Sequence, residues 1–143
     1  MKNILVAVGL DDGSQLLVEK AAEQAEKFGS KVWVLHIADP EPDFVGNKVG
    51  PQYIRDIRVK ELLAEHHLVR KYSDFLKAKN IDADGLLIAG ATVKLIMEEI
   101  EKLNIDLVII CRHQHSLLYK IFTGTTHSAV ANKSKVPVLI VPL

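Results

Sequence analysis

Apolar residues occur along the chain in five short continuous runs, each bounded by turn-forming or polar residues. Continuous runs rich in Val, Ile and Leu are typical of strands that are covered on both faces. They are residues 4–8, 32–37, 85–89, 107–111 and 136–143. Between the runs, apolar residues recur every three or four positions, which predicts amphipathic helices. These are expected over residues 14–28, 54–78, 92–103 and 125–132.

Residues that favour helix ends, and the apolar face of the long second helix, add detail to these predicted elements. Ser14 and Thr92 are predicted as N-caps, and Gly29 as the residue that ends the first helix. The apolar stripe of the second helix is predicted to face the core, with His66 as a core histidine and His67 facing out. The stripe comprises Val59, Leu62, Leu63, His66, Val69, Tyr72, Phe75 and Leu76.

Strands and helices therefore alternate through all 143 residues. This order predicts an α/β fold with a parallel sheet and helices on both faces. The chain has no internal repeat or linker, so residues 1–143 are expected to form one domain. Residues 39–52 include five Gly or Pro residues. We expect them to form a mobile loop that acts as a flap over the ligand site.

Charge and cysteine content exclude several functions. Lys plus Arg and Asp plus Glu number 18 each, so no net positive charge favours binding to nucleic acid or to an anionic membrane. The single cysteine, Cys111, allows no intramolecular disulfide, which favours a reducing compartment. No apolar run approaches the ~20 residues of a membrane span. The protein is expected to be cytoplasmic.

Candidate chemistry lies in the stretch CRHQHSLLYKIFTGTTHS, residues 111–128. It joins the fourth predicted strand to a helix through Gly-Thr-Thr, an arrangement that can hold a phosphate. The backbone N–H groups of Gly124, Thr125 and Thr126 would point at the anion, assisted by the positive end of the helix dipole. A threonine that only caps the helix explains the same residues, and the Gly-Thr pair alone favours that simpler interpretation.

Other reactive arrangements find less support in the sequence. A phosphoacceptor domain requires a carboxylate where the third strand ends, and this strand ends in Ala89 and Gly90. His113 and His115 lack the neighbouring ligands of a metal site. Cys111 has no partner base in the sequence, and buried cysteine is the common case. No nucleophile–base pair is visible, so catalysis is not favoured.

The order of these features resembles the universal stress protein family over the whole chain. The matching residues are ILVAV at the start, LVEKA in the first helix, LHI at the end of the second strand, Gly90, DLVII and the closing VPVLIVP. The resemblance implies a five-stranded sheet in the order 3-2-1-4-5 between two layers of helices. It also implies a nucleotide site that includes Gly9 and Ile37, at the ends of the first two strands.

Nucleotide-binding members of that family carry G-x2-G-x9-G-[ST] after the fourth strand. This chain has Cys111 and Gln114 at the first two glycine positions, and keeps Gly124 and Thr125. An acid found after strand 1 in ATP-binding members is replaced by Gly9. Glycine lets a backbone approach phosphates closely, so the two replacements are expected to obstruct a triphosphate. The chain is similar to the A-type branch, which is characterised by loss of the glycine motif and of ATP binding.

The resemblance implies a dimeric stress-response protein that acts by binding and assembly, with weak or no ATP binding. The alternative is a nucleotide-binding stress protein that uses the Gly124–Thr125 helix start as its phosphate cradle. ATP and AMP are the possible ligands. A homodimer is expected through residues 136–143, because this run is apolar on both faces and lies at a sheet edge in the implied strand order.

Overall fold

The computed structural model describes residues 1–38, 52–112 and 126–143. Strands and helices alternate as the sequence predicts. The strands are β1 (Asn3–Ala7), β2 (Lys31–Ala38), β3 (Ala83–Ala89), β4 (Leu107–Arg112) and β5 (Val138–Pro142). The helices are α1 (Ser14–Phe28), α2 (Gln52–Ala78), α3 (Thr92–Lys102) and α4 (Thr126–Lys133).

The five strands form one parallel sheet in the order β3-β2-β1-β4-β5, which confirms the expected α/β fold. β1 lies in the centre, where Ile4 pairs with Val32 of β2 on one side and with Leu107 of β4 on the other. The chain moves outward from β1 through β2 to β3 and then crosses to β4. The strand order therefore reverses between β1 and β4.

Alternate residues of the strands supply two hydrophobic cores, one on each face of the sheet. In β1, Ile4 and Val6 belong to the core that contains residues of α1 and α2, and Leu5 belongs to the core that contains residues of α3 and α4. All three side chains have no solvent exposure. Coverage on both faces explains why the strands are continuous apolar runs rather than alternating ones.

Three helix-to-strand turns end in the same backbone motif at the amino end of the sheet. Gly29, Asn80 and Asn104 have φ angles of 64°, 62° and 51°. The residue after each one donates its N–H to the carbonyl five residues earlier: Ser30 to Ala25, Ile81 to Leu76 and Ile105 to Ile100. This is the hydrogen bond of a Schellman motif, and Gly and Asn are the residues that adopt its left-handed conformation most readily. The predicted C-cap at Gly29 is confirmed.

The predicted N-caps are wrong by one residue. Ser14 and Thr92 are the first helical residues, and Gly13 and Ala91 occupy the cap positions without side-chain cap bonds. At α1, Asp11 supplies the missing acceptors: its Oδ1 accepts from Gly13 N–H at 3.1 Å, and its carbonyl accepts from Ser14 N–H at 3.1 Å. The carboxylate two residues before the cap therefore replaces the serine hydroxyl.

The predicted burial of the whole α2 stripe is also wrong. Val69 and Leu76 are buried, whereas His66 is exposed and the exposed fractions of Val59 and Leu63 are 54% and 62%. The 27 residues of α2 extend about 40 Å, whereas the seven residues of β3 extend only about 23 Å. The helix is longer than the sheet that it covers, so the amino-terminal part of its apolar stripe has no strand beneath it.

The bounds of β5 and α2 also differ from the prediction. β5 begins at Val138 rather than at residue 136. Val136 instead exchanges hydrogen bonds with Ser134 Oγ, and Pro137 has no N–H to donate. α2 begins at Gln52, the last residue of the predicted loop. Residues 39–51, the rest of the predicted flap, lie outside the described part of the chain.

Candidate nucleotide site

A cleft of about 660 Å³ opens at the carboxyl ends of the central strands. It lies where the strand order reverses between β1 and β4, which is the usual ligand position in an open parallel sheet. Most of its lining is apolar. The lining residues are Ala7, Val8, Gly9, Leu10, Asp11, Leu35, His36, Ile37, Ala64, Glu65, Leu68, Thr92, Ile96, Ile110, Cys111 and Thr126.

The fold brings four of the predicted site residues together in this cleft. Gly9 follows β1, Ile37 lies near the end of β2, Cys111 lies near the end of β4, and Thr126 begins α4. The predicted site residues Gln114, Gly124 and Thr125 lie outside the described residues. His113 and His115, weighed above as metal ligands, lie outside them as well.

The loop after β1 gives the cleft a tightly constrained wall. A Cβ atom built on Gly9 would lie 3.3 Å from Asp11 Oδ2, closer than side chains ordinarily pack. Glycine at this position therefore leaves room for the Asp11 carboxylate beside the backbone. Leu10, between them, has a φ of 60°, a left-handed conformation that is rare for bulky residues. Backbone strain of this kind is typical of functional loops.

The Cys111 thiol stays protonated at neutral pH. Burial first, and then the negative charge of Asp11, raise the pKa of this thiol to about 11. Because the thiolate is the nucleophilic form of cysteine, the raised pKa makes Cys111 a weak nucleophile at neutral pH. Its side chain serves instead as part of the apolar wall at the end of β4.

His36 and Glu65 form a polar pair in the cleft that the sequence analysis missed. His36 Nδ1 lies 2.8 Å from the carbonyl oxygen of Val8, and Nε2 lies 3.8 Å from Glu65 Oε2. His36 therefore bonds across strands, from β2 to the residue that follows β1. A signal for Glu65 was present in the sequence, because it precedes Val69 by one helical turn and Leu76 by three. A carboxylate on the core-facing side of a helix marks a polar group held inside.

The chain matches the family model described as "Universal stress protein family" over residues 1–142. It is 28% identical over 142 residues to Universal stress protein A of Escherichia coli strain K12, covering 99% of this chain and 94% of that protein.

The chain belongs to the universal stress protein family.

Solved structures of the family show the same fold. A universal stress protein in complex with cAMP is 20% identical, with a TM-score of 0.73 over 99% of this chain and 96% of that chain. The universal stress protein of Archaeoglobus fulgidus in complex with dAMP is 19% identical, with a TM-score of 0.65 over 98% of this chain and 97% of that chain. At these identities the likeness establishes the fold, which agrees with the observed strand order.

The cleft of this universal stress protein carries more negative than positive charge in its described part. Asp11 and Glu65 are its acids, and no lysine or arginine is among the described lining residues. Its positive contribution is the amino-terminal end of α4 at Thr126, where the helix dipole favours an anion. The arrangement suits a ligand with an apolar body and limited negative charge.

Two further kinds of site are not found in the described residues. In residues 1–38, 52–112 and 126–143, no three His, Cys, Asp or Glu side chains are grouped as ligands of a metal ion. None of the described helices is long and apolar enough to cross a membrane.

Proposed function

We propose that this universal stress protein is a cytoplasmic stress-response protein that acts by binding and assembly rather than by catalysis. Its cleft would hold an adenine nucleotide with one phosphate, such as AMP, and would bind ATP weakly. One observation carries the proposal: Gly9, Ile37, Cys111 and Thr126 line a single cleft at the point of strand reversal. The cAMP and dAMP complexes of structural neighbours supply the ligand class.

Charge and shape both argue against tight triphosphate binding. The described walls hold Asp11 and Glu65 and no lysine or arginine, so each additional phosphate adds repulsion in a partly desolvated site. Cys111 is half-buried at the end of β4, where the family pattern has a glycine. Its side chain occupies space that a phosphate or ribose would otherwise reach.

Calorimetric titration with ATP, ADP and AMP, each with and without magnesium, tests this function. We expect AMP to bind more tightly than ATP, and ATP to bind no more tightly than roughly 100 μM, about −5.5 kcal/mol. Recovery of stoichiometric ATP with the purified protein would contradict the proposal. That result would favour the alternative, in which Gly124 and Thr125 cradle a triphosphate at the start of α4.

A double variant tests whether the side chains at positions 111 and 114 obstruct the binding of ATP. Replacing Cys111→Gly together with Gln114→Gly restores the glycine pattern after β4. We expect ATP affinity to rise in the double variant, because nucleotide-binding members of the family have glycine at both positions and glycine lets the backbone approach phosphates closely. The matched control is Cys111→Gly with Asn80→Gly, which removes a second, exposed side chain at a left-handed turn at the other end of the sheet. Unchanged ATP affinity in the double variant would assign the weak binding to Gly9 or to the loop path.

We also propose that assembly occurs through β5. This strand is at the edge of the sheet, and among the described strands only β4 pairs with it. Its Leu139 side chain is 36% exposed, and Ile140 is only partly buried against the second core. An apolar edge strand left in water promotes association, and symmetric pairing about a two-fold axis closes the assembly.

Light scattering measures this assembly. We expect the unmodified protein to be a dimer and the variant Ile140→Lys to be a monomer or an aggregate. Leu63→Lys is the matched control, because Leu63 is 62% exposed on α2 and we expect no change in mass there. An unmodified protein that is monomeric at tens of micromolar would contradict the dimer.

A further inference from the structure

His36 and Glu65 lie close together in the cleft without a hydrogen bond between them, with Nε2 and Oε2 3.8 Å apart. We infer that Glu65, supported by His36, recognises the exocyclic amino group of an adenine base in the cleft. This inference rests on the proposed binding of adenine nucleotides and adds the residues that select the base. Both side chains line the cleft, one from β2 and the other from α2.

The hydrogen bond to Val8 fixes the tautomer of a neutral His36. A backbone carbonyl can only accept, so His36 Nδ1 donates its proton to Val8 O across 2.8 Å. In the neutral imidazole the other ring nitrogen, Nε2, then carries a lone pair. Nε2 lies 3.8 Å from Glu65 Oε2, beyond hydrogen-bond distance. When His36 is neutral, two acceptors therefore face each other across this gap.

Glu65 has unused capacity to accept hydrogen bonds. Its Oε2 is buried and has no hydrogen-bond partner among the described residues. A buried acceptor without a donor is unfavourable, so a ligand that supplies a donor gains affinity. The terminal torsion of a glutamate has a broad minimum, so the carboxylate can turn to present either oxygen to the cleft.

An amino group with two hydrogens matches two neighbouring acceptors. One N–H can reach the Glu65 carboxylate and the other His36 Nε2, since a nitrogen placed between atoms 3.8 Å apart can lie about 2.9 Å from each. A carbonyl oxygen at the same place would add a third acceptor and be repelled. The pair therefore favours adenine, which carries an amino group at this ring position, over hypoxanthine, which carries an oxygen.

The rest of the cleft sets the ligand orientation that the inference requires. His36 and Glu65 lie on the β2 side of β1, whereas Thr126 begins α4 over the β4 side. A phosphate is repelled by the Glu65 carboxylate and attracted by the positive end of α4. The base then lies towards β2 and α2, with Ile37 among the apolar residues beside it.

The test compares AMP with IMP by calorimetry, because IMP replaces the amino group with an oxygen. In the unmodified protein we expect AMP to bind at least about tenfold more tightly than IMP. In Glu65→Gln the ratio should fall to near one, because a glutamine amide can either accept or donate. Glu61→Gln, the same change on α2 at a side chain that is 56% exposed, should keep the unmodified ratio.

Two measurements separate base recognition from a structural role. Thermal unfolding should be similar for Glu65→Gln and Glu61→Gln, whereas a structural ion pair predicts a selective loss in Glu65→Gln. In the complex with AMP, ¹⁵N NMR should show the ring proton of His36 on Nδ1, with Nε2 accepting a hydrogen bond from the ligand. A proton on Nε2 in that complex would overturn the inference.

The outcomes also separate this inference from the proposed function. If AMP and IMP bind equally well, or if the AMP preference persists in Glu65→Gln, the recognition role of Glu65 is wrong and nucleotide binding stands. If neither nucleotide binds at millimolar concentration, the proposed function and the inference are both wrong.

Discussion

The two ends of the sheet are built differently. At the amino end, the left-handed turn positions described above are Gly or Asn, and two nearby charged side chains, Asp106 and Lys31, are paired. Asp106 Oδ2 accepts from the N–H groups of Lys2 and Asn3 at 2.8 and 2.9 Å. Lys31 Nζ lies 2.7 Å from Asp84 Oδ2 and 4.2 Å from the centroid of the Trp33 ring.

The carboxyl end of the sheet contains backbone and side-chain arrangements that are energetically less favourable. Leu10 adopts a left-handed conformation, Cys111 has a raised pKa, and Glu65 Oε2 has no hydrogen-bond partner among the described residues. Gly and Asn avoid backbone strain where helices return to strands, whereas the polar groups available to a ligand lie where the strands end. A site that binds a ligand needs polar groups that the fold has not already paired.

The largest expected effect is on the chemistry of Cys111. With a pKa of about 11 instead of 9.0, the thiolate fraction at pH 8 is roughly 100-fold lower than in the unfolded chain. Alkylation by iodoacetamide, followed by mass spectrometry, should be slower in the folded protein by about that factor. Asp11→Asn should lower the pKa and accelerate the reaction. Equal rates in the folded and the urea-unfolded protein would show that the thiol is not shielded.

A pair of glycine substitutions tests the difference in backbone strain. Gly29→Ala should lower the free energy of unfolding by about 1–2 kcal/mol, because φ is 64° and no atom lies within 4 Å to compensate. Leu10→Gly should change it by less than about 0.5 kcal/mol, since relief of strain offsets the loss of leucine packing. Urea denaturation measures both. A large loss in Leu10→Gly would show that packing, not strain, dominates there.

Asp106 should contribute stability that depends on pH. Hydrogen bonds from Asn3 N–H and then from Lys2 N–H lower the pKa of its carboxyl group. Because the folded-state pKa is lower than the unfolded one, this stability is present above about pH 4 and disappears as the carboxylate protonates at lower pH.

The variant Asp106→Asn measures that contribution. At pH 7 the substitution should lower the free energy of unfolding by about 1 kcal/mol, and the difference from the unmodified protein should shrink as the pH falls below 4. Asp82→Asn is the control. Because that side chain is 73% exposed, its substitution should change the free energy of unfolding little. A difference that stays constant down to pH 2 would refute the proposed linkage.

The smallest expected effect is at Lys31. Hydrogen bonding to Asp84 raises the pKa of this ammonium group, so its contribution is present at neutral pH and is lost only in strong alkali. Lys31→Met should lower the free energy of unfolding by about 0.5 kcal/mol, with a smaller difference in 1 M NaCl. A salt-independent loss would assign the effect to packing on Trp33.

The sequence pattern predicted the strands well, but it predicted the ends of the helices and the burial of α2 less well. The five apolar runs fall on the observed strands because strands covered on both faces must be apolar throughout. Ser14 and Thr92 were misassigned because a cap depends on which acceptor reaches the first N–H groups, and at α1 Asp11 does so. His66 was misassigned because helical periodicity does not show where the strand beneath a helix ends.

The residues of the candidate site were likewise predicted only in part. Gly9, Ile37, Cys111 and Thr126 were placed in one site from their positions after strands and from the family resemblance, and all four line the cleft. Glu65 was not, because 29 residues separate it from His36 and no motif joins them. Their proximity arises from the antiparallel passage of α2 over β2.

Hydrophobic periodicity and turn residues are local properties, so they were enough to predict the order of elements and a parallel sheet, and the order of matching motifs was enough to indicate the family. The tertiary structure decided which polar groups meet at the end of the sheet. It placed Val8 O against one nitrogen of His36 and Glu65 opposite the other. Such contacts depend on distances between separate elements, and a chain encodes these only through the packing of its whole core.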